Sequence, residues 1–181
     1  MRKDQLEHLI RAASAVLGVD EVIVVGSQAI HASLKADLLP PETTLSVEAD
    51  ILPVDGDEAK SDLIDGTIGE ASMFHESFGV YAQGVGQSTC KLSAGWRDRL
   101  VALQGPNTSG AIGWCLELHD LVAAKLLAGR DKDVLYCRSL FSAGLVRPNV
   151  VLARVQDTPD VDEVARAKAI RIATASHQRG V

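Results

Sequence analysis

Val22-Ile23-Val24-Val25-Gly26-Ser27 is a β-branched run that stops at a glycine and a hydroxyl. Four successive apolar residues of this kind predict a central strand covered on both faces, because an edge or one-sided strand would alternate with polar residues. Gly26 admits a sharp turn with little side-chain obstruction, and Gln28 to Leu34 reads as a helix. Backbone N–H groups at such a strand-to-helix turn can approach a phosphate, helped by the helix dipole and by the Ser27 hydroxyl. The plainer reading of Ser27 is a helix cap, since serine is among the best N-cap residues. Pro40-Pro41 ends this stretch by removing donors and favouring extended backbone.

Upstream, Leu6, Leu9, Ile10, Ala13, Val16 and Leu17 recur at helical spacing, and Gly18 stands where that helix should stop. Downstream, Leu45 to Leu52 alternates: Leu45, Val47, Ala49 and Ile51 fall on one face, and Ser46, Glu48 and Asp50 on the other. The spacing predicts a strand with a carboxylate face. Asp55 to Glu70, rich in Gly and Asp, reads as a turn-rich excursion. Further strands are expected over 78–85, 99–103 and 112–118, and helices over 120–128, 131–142, 149–155 and 160–177, the last starting at Thr158-Pro159. The expected fold is therefore α+β: a sheet of about five strands flanked by helices, with a helical C-terminal part. One domain over 1–181 is expected, its sheet core in 1–118 and its helices in 119–181 packed on that core. No internal repeat or low-complexity tract interrupts it.

The 181 residues are 46% hydrophobic, enough for a core without disulfide or structural metal. Eighteen Lys and Arg against 24 Asp and Glu give a net charge of -6, which argues against binding duplex DNA through its phosphates. Aromatic residues are only 4%, too few for base-stacking platforms. A patch of Arg97, Arg99, Lys125, Arg130 and Lys132 is the one basic surface expected to serve an RNA acceptor. Cys90, Cys115 and Cys137 are odd in number and far apart, which suits a reducing cytoplasm. No secretory leader and no run long enough to cross a membrane is read.

Glu48 and Asp50 carry the most chemical information. At i and i+2 on a strand their side chains share a face, and paired carboxylate oxygens suit a hard divalent cation. A solvated strand face is the plain alternative, although acids are poor strand formers and need compensation. Lys125 sits in Leu121-Val122-Ala123-Ala124-Lys125-Leu126-Leu127-Ala128, where one ammonium among apolar residues needs a partner or snorkels to water. Gly129-Arg130-Asp131-Lys132-Asp133 follows at once, as either a solvated charge run or a continuation of a site. Asp120 reads as the cap of the helix after His119. His8, His31, His75, His119 and His177 show no zinc-ligand spacing. The sequence contains no Walker A loop, dinucleotide fingerprint or GxSxG elbow, and Trp96 and Trp114 read as core or interface anchors.

Together, Gly26-Ser27 after a strand, Glu48-x-Asp50 on the next, and Lys125 with Arg130 and Asp133 on later helices resemble the nucleotidyltransferase superfamily of DNA polymerase beta. More narrowly, the chain is similar to minimal nucleotidyltransferases of the abortive-infection (AbiEii-like) toxin type over residues 20–140. The resemblance implies a mixed nucleotidyltransferase-like sheet and Mg²⁺- or Mn²⁺-dependent transfer of a nucleotide from an NTP to an RNA, protein or small-molecule acceptor. It implies that Glu48 and Asp50 hold metal and that Gly26 and Ser27 bind the triphosphate. Lys125, counted with the two acids as catalytic, and Arg130 neutralise the phosphates, and Asp133 orients those cations in the nucleotide site. A toxin role would add an antitoxin partner, and transfer RNA or protein are the acceptors expected. Glu48 stands where the family pattern has Asp, and the gap from Ser27 to Glu48 is longer than the compact motif. Asp62, Asp65, Glu70 and Glu117 are the candidates for a third carboxylate. The alternative is a catalytically degenerate nucleotide-binding or protein-interaction module of the same fold.

Overall fold

The computed structural model describes residues 1–178. Helix α1 (Lys3–Leu17) buries Leu6, Leu9, Ile10 and Ala13 along one stripe and ends at Gly18, left-handed at φ 65°, whose N–H donates to the Ser14 carbonyl and closes the last turn. Strand β1 (Glu21–Val25) follows with Val22 to Val25 all buried. A 3₁₀ turn over Ser27–Ala29 leads into α2 (Ile30–Ser33), and two more 3₁₀ turns carry the chain past Pro40-Pro41. Strand β2 is Glu48–Leu52.

Residues 45–47 lie outside that strand, shorter than the alternation predicts. Leu45 and Val47 are exposed, and the Ser46 hydroxyl accepts the Glu48 N–H at 3.1 Å. A second departure concerns residues 55–70, expected as turns. They form α3 (Glu58–Ile68), capped by the Asp57 side chain on the Ala59 N–H and burying Ser61, Ile64 and Ile68 at i, i+3 and i+7. Helix α4 (Met73–Phe78) then takes the beginning of the stretch expected as a strand, leaving Tyr81–Gly84 as β3.

Strands β4 (Val101–Leu103) and β5 (Ile112–Cys115) complete a mixed five-stranded sheet of order β3-β2-β1-β5-β4. β1 runs antiparallel to β2 and parallel to β5, β2 is parallel to β3, and β4 is antiparallel to β5. The antiparallel register sets Val25 opposite Asp50, so the end of β1 meets the acidic part of β2.

Four helices follow: α5 (Leu118–Ala128), α6 (Asp131–Ser142), α7 (Pro148–Gln156) and α8 (Glu163–Gln178). α5 is apolar on nearly every side and packs against α6, α7 and α8. Its cap is Glu117, whose carboxylate accepts the His119 and Asp120 N–H groups; Asp120, expected there, is buried instead. The Asp120 carboxylate takes Arg99 Nε at 2.7 Å and lies 3.3 Å from Arg154 Nε, with the Ser93 hydroxyl completing the group. α8 likewise starts later than Thr158-Pro159: Asp162 accepts the Val164 and Ala165 N–H groups, while the Thr158 hydroxyl turns back to the Arg154 carbonyl. Trp96 is buried, and Trp114 is half-buried in β5. Cys115 and Cys137 are fully buried and Cys90 is half-buried, all three as free thiols. No helix among the described residues is long and apolar enough to cross a membrane.

Candidate functional site

Gly26 has φ 63° and ψ -166°, a conformation that side-chain-bearing residues rarely adopt. Its bare Cα also makes room for a neighbour: a Cβ built there would lie 1.7 Å from Asp50 Oδ2 and 2.6 Å from Asp50 Cγ. The glycine predicted from the strand-to-turn pattern is therefore required twice, by its backbone and by the carboxylate beside it. The helix expected to lend its dipole is a 3₁₀ turn and the four residues of α2, too short to act as an extended dipole.

Asp50 and Glu48 do share a strand face. Burial and then the Glu48 charge push the Asp50 carboxyl up to about 6, against a downward pull from Lys125 and Arg130. Asp50 therefore keeps its proton to a higher pH than a solvated aspartate would. Glu48 is anchored from the neighbouring strand, where Tyr81, its register partner, donates to Glu48 Oε2 at 3.0 Å. Burial, then that hydrogen bond, pushes the Tyr81 phenol up to about 12, so it stays a donor.

Across the cavity, Lys125 finds the partner that an ammonium on an apolar helix needs. Its Nζ donates to Asp133 Oδ1 at 2.8 Å and lies 4.6 Å from the centre of the Tyr136 ring. Arg130 Nε bonds the other oxygen of Asp133 at 2.5 Å. Burial alone would raise the Asp133 carboxyl, but the hydrogen bonds from Arg130 and Lys125 outweigh it and hold the group below its ordinary value. Tyr136 Oη donates to the Ser27 carbonyl at 2.9 Å, joining α6 to the turn after β1.

All seven residues singled out from the sequence, Gly26, Ser27, Glu48, Asp50, Lys125, Arg130 and Asp133, line one cavity of about 560 Å³. Further polar wall residues that carry no sequence signal of their own include Glu42, Gln83, Lys91 and Tyr136. Tyr136 was findable, being three residues after Asp133 on the same helix face. The four candidates for a third carboxylate are not on this wall. Asp62, Asp65 and Glu70 are exposed, Asp65 accepting the Gly84 N–H at 2.7 Å, and Glu117 caps α5 and bonds His119. The expected basic patch is broken up as well: Arg99 is committed to Asp120, and Arg97 lies over Trp96 and bonds Gln87.

Residues 4–173 match the family model described as "Nucleotidyltransferase of unknown function (DUF6036)". The chain belongs to this nucleotidyltransferase family. No curated protein and no solved structure matches it.

Nucleotidyltransferases use divalent metal, and the chemistry of the donor set can be tested against one. No group of three or more His, Cys, Asp and Glu side chains forms a metal cage among the described residues, and the side chain of His177 lies outside them. Two carboxylates on one strand face nevertheless fit a hard cation that keeps water and takes phosphate oxygens as its other ligands. Burial and the neighbouring Glu48 charge both raise the Asp50 carboxyl, and a cation placed there would offset both. The residues fit the ion.

Proposed function

We propose that this nucleotidyltransferase moves a nucleotide from an NTP to an acceptor in a divalent-metal-dependent reaction, with Glu48 and Asp50 as the metal ligands. The single observation that carries this reading is the Asp50 carboxylate, set against the bare Cα of Gly26 and crowded by Glu48. Mg²⁺ or Mn²⁺ held there supplies positive charge where negative charge develops at the α-phosphate. Gly26 and Ser27 offer backbone and hydroxyl donors to the β- and γ-phosphates. Lys125 and Arg130 counter their charge, and Asp133 aims both cations at the cavity. The acceptor oxygen bonds to the α-phosphorus and pyrophosphate leaves.

The experiment is a transfer assay with α-labelled ATP, CTP, GTP and UTP in turn, Mg²⁺ or Mn²⁺, and total cellular RNA and protein, run beside Asp50→Asn. Metal-dependent label on an acceptor, absent from Asp50→Asn, is the expected result. The thermal midpoint of that variant should hold or rise, because one of two crowded carboxylates has gone. Turnover preserved in Asp50→Asn refutes the assignment.

A second reading, a nucleotide-binding or protein-interaction module of the same fold without turnover, is favoured by Glu48 at the first acid position and by the placement of the third-acid candidates off the wall. Metal-dependent uptake of Mg·NTP with no product in any acceptor mixture selects it. A toxin of the abortive-infection type, paired with an antitoxin, extends the first reading and rests on the resemblance carried by the motif residues. Growth arrest on induced expression, relieved in Asp50→Asn, tests it.

A further inference from the structure

We propose that Tyr136 is a positioning residue for the triphosphate, fixing the Ser27 turn through its hydroxyl and the Lys125 ammonium through its ring. The role rests on the nucleotidyl-transfer reading above and names a residue that the motifs do not contain.

Tyr136 is only 5% exposed, yet part of it lines the cavity. Its hydroxyl donates to the carbonyl of Ser27, not to a side chain. In a trans peptide the C=O and the following N–H point in opposite directions, so this one bond also sets the direction of the Gln28 N–H. The turn therefore presents its donors in one orientation. Phenylalanine would fill the same volume and leave the Ser27 carbonyl without this donor.

The ring acts on a different partner. A lysine ammonium swings on a four-carbon stem, and freezing it during binding costs free energy. Here it is held between a buried carboxylate, Asp133, and the Tyr136 π-face. Both contacts favour a cation without covering the whole ammonium, which remains 11% exposed as a side chain. Burial pushes the Tyr136 phenol well above its ordinary value, so the hydroxyl stays a neutral donor. One side chain thus couples the two halves of the phosphate-binding wall, contributed by the turn after β1 and by α5.

The test uses the full chain with Tyr136→Phe, which keeps the ring, and Tyr136→Leu, which keeps neither feature. Binding of Mg·NTP and of the matching NMP is measured by calorimetry for each base, together with the thermal midpoint. Tyr136→Phe should weaken Mg·NTP about five-fold, the equivalent of one hydrogen bond, with NMP binding unchanged. Tyr136→Leu should weaken Mg·NTP by roughly 30-fold through the added loss of the cation–π contact. A residue that merely filled the core would lower the thermal midpoint and weaken NTP and NMP alike. That result, or unchanged Mg·NTP affinity in Tyr136→Phe, overturns the proposal while wild-type binding keeps the parent reading intact. Wild-type protein that takes up no Mg·NTP overturns both.

Discussion

Replacing Gly26 by alanine asks two things of the structure at once, and a second glycine separates them. At φ 63° and ψ -166° an L-residue costs about 1–3 kcal/mol. The added methyl would also lie 1.7 Å from Asp50 Oδ2 and 3.1 Å from Asp50 Cβ, so the whole carboxylate must rotate off the Glu48 face. Gly18 has a similar φ of 65° but ψ 36°, the milder left-handed helical region, and nothing within 4 Å of a built Cβ, so Gly18→Ala bears only that smaller backbone cost. About 1 kcal/mol is expected there, or roughly 2–4 °C in midpoint for a chain of this size. Gly26→Ala should lose about 3 kcal/mol, roughly 6–12 °C, as the collision adds to the backbone term. Chemical denaturation of both variants, with Mn²⁺ and Mg·NTP titrations on each, measures the difference. Gly18→Ala should bind as wild type and Gly26→Ala should not. Equal stability of the two variants, with Mn²⁺ binding intact in Gly26→Ala, refutes the account of Gly26 as the space that Asp50 occupies.

Asp133→Asn leaves the half-buried Lys125 ammonium without its counter-charge and should cost about 3 kcal/mol in urea denaturation at neutral pH. Because the Asp133 carboxyl lies below its ordinary value of 3.8, its contribution is complete above that value and is lost as pH falls through the lower folded one. The acid limb of the stability profile should therefore be shallower in Asp133→Asn than in wild type. Asp120→Ala strands Arg99 and Arg154 and should also cost about 3 kcal/mol, the lower end for a buried pair because both guanidiniums keep some water contact. Mg·NTP affinity of the folded Asp120→Ala fraction should be unchanged, since that group is not on the cavity wall. Tyr81→Phe removes the bond that orients Glu48 and should weaken Mn²⁺ about ten-fold in a direct titration, with little change in midpoint.

What the sequence revealed follows the range over which each signal acts. The β-branched run at Val22–Val25 and the alternation over Leu45–Leu52 are local patterns; the first strand stands where its pattern puts it, and the second covers only Glu48–Leu52 of its own. The helix predicted over 131–142 has those bounds in the structure, between Gly129 and Gly144. Residues 55–70 misled because Gly66 and repeated Asp are turn formers, whereas the stripe Ser61, Ile64 and Ile68 is short and begins on a polar residue. Asp120 misled in another way. A cap and a buried ion pair look alike in sequence, and only Arg99 and Arg154, brought from distant segments, tell them apart. Glu42, hidden behind Pro40-Pro41, reaches the cavity wall through loop geometry that no periodicity records.

Two of the three free thiols form a built-in clock. Burial pushes Cys115 in β5 and Cys137 in α6 each up to about 12, and neither side chain meets solvent in the closed protein. A thiol reagent can reach them only when the surrounding structure opens, so each labelling rate reports the opening free energy of its own neighbourhood. Cys115 reports on the sheet and Cys137 on the helices that follow it. Equal rates at every urea concentration mean that the two parts open as one cooperative unit, and a faster Cys137 means that the helical part swings free while the sheet stays closed.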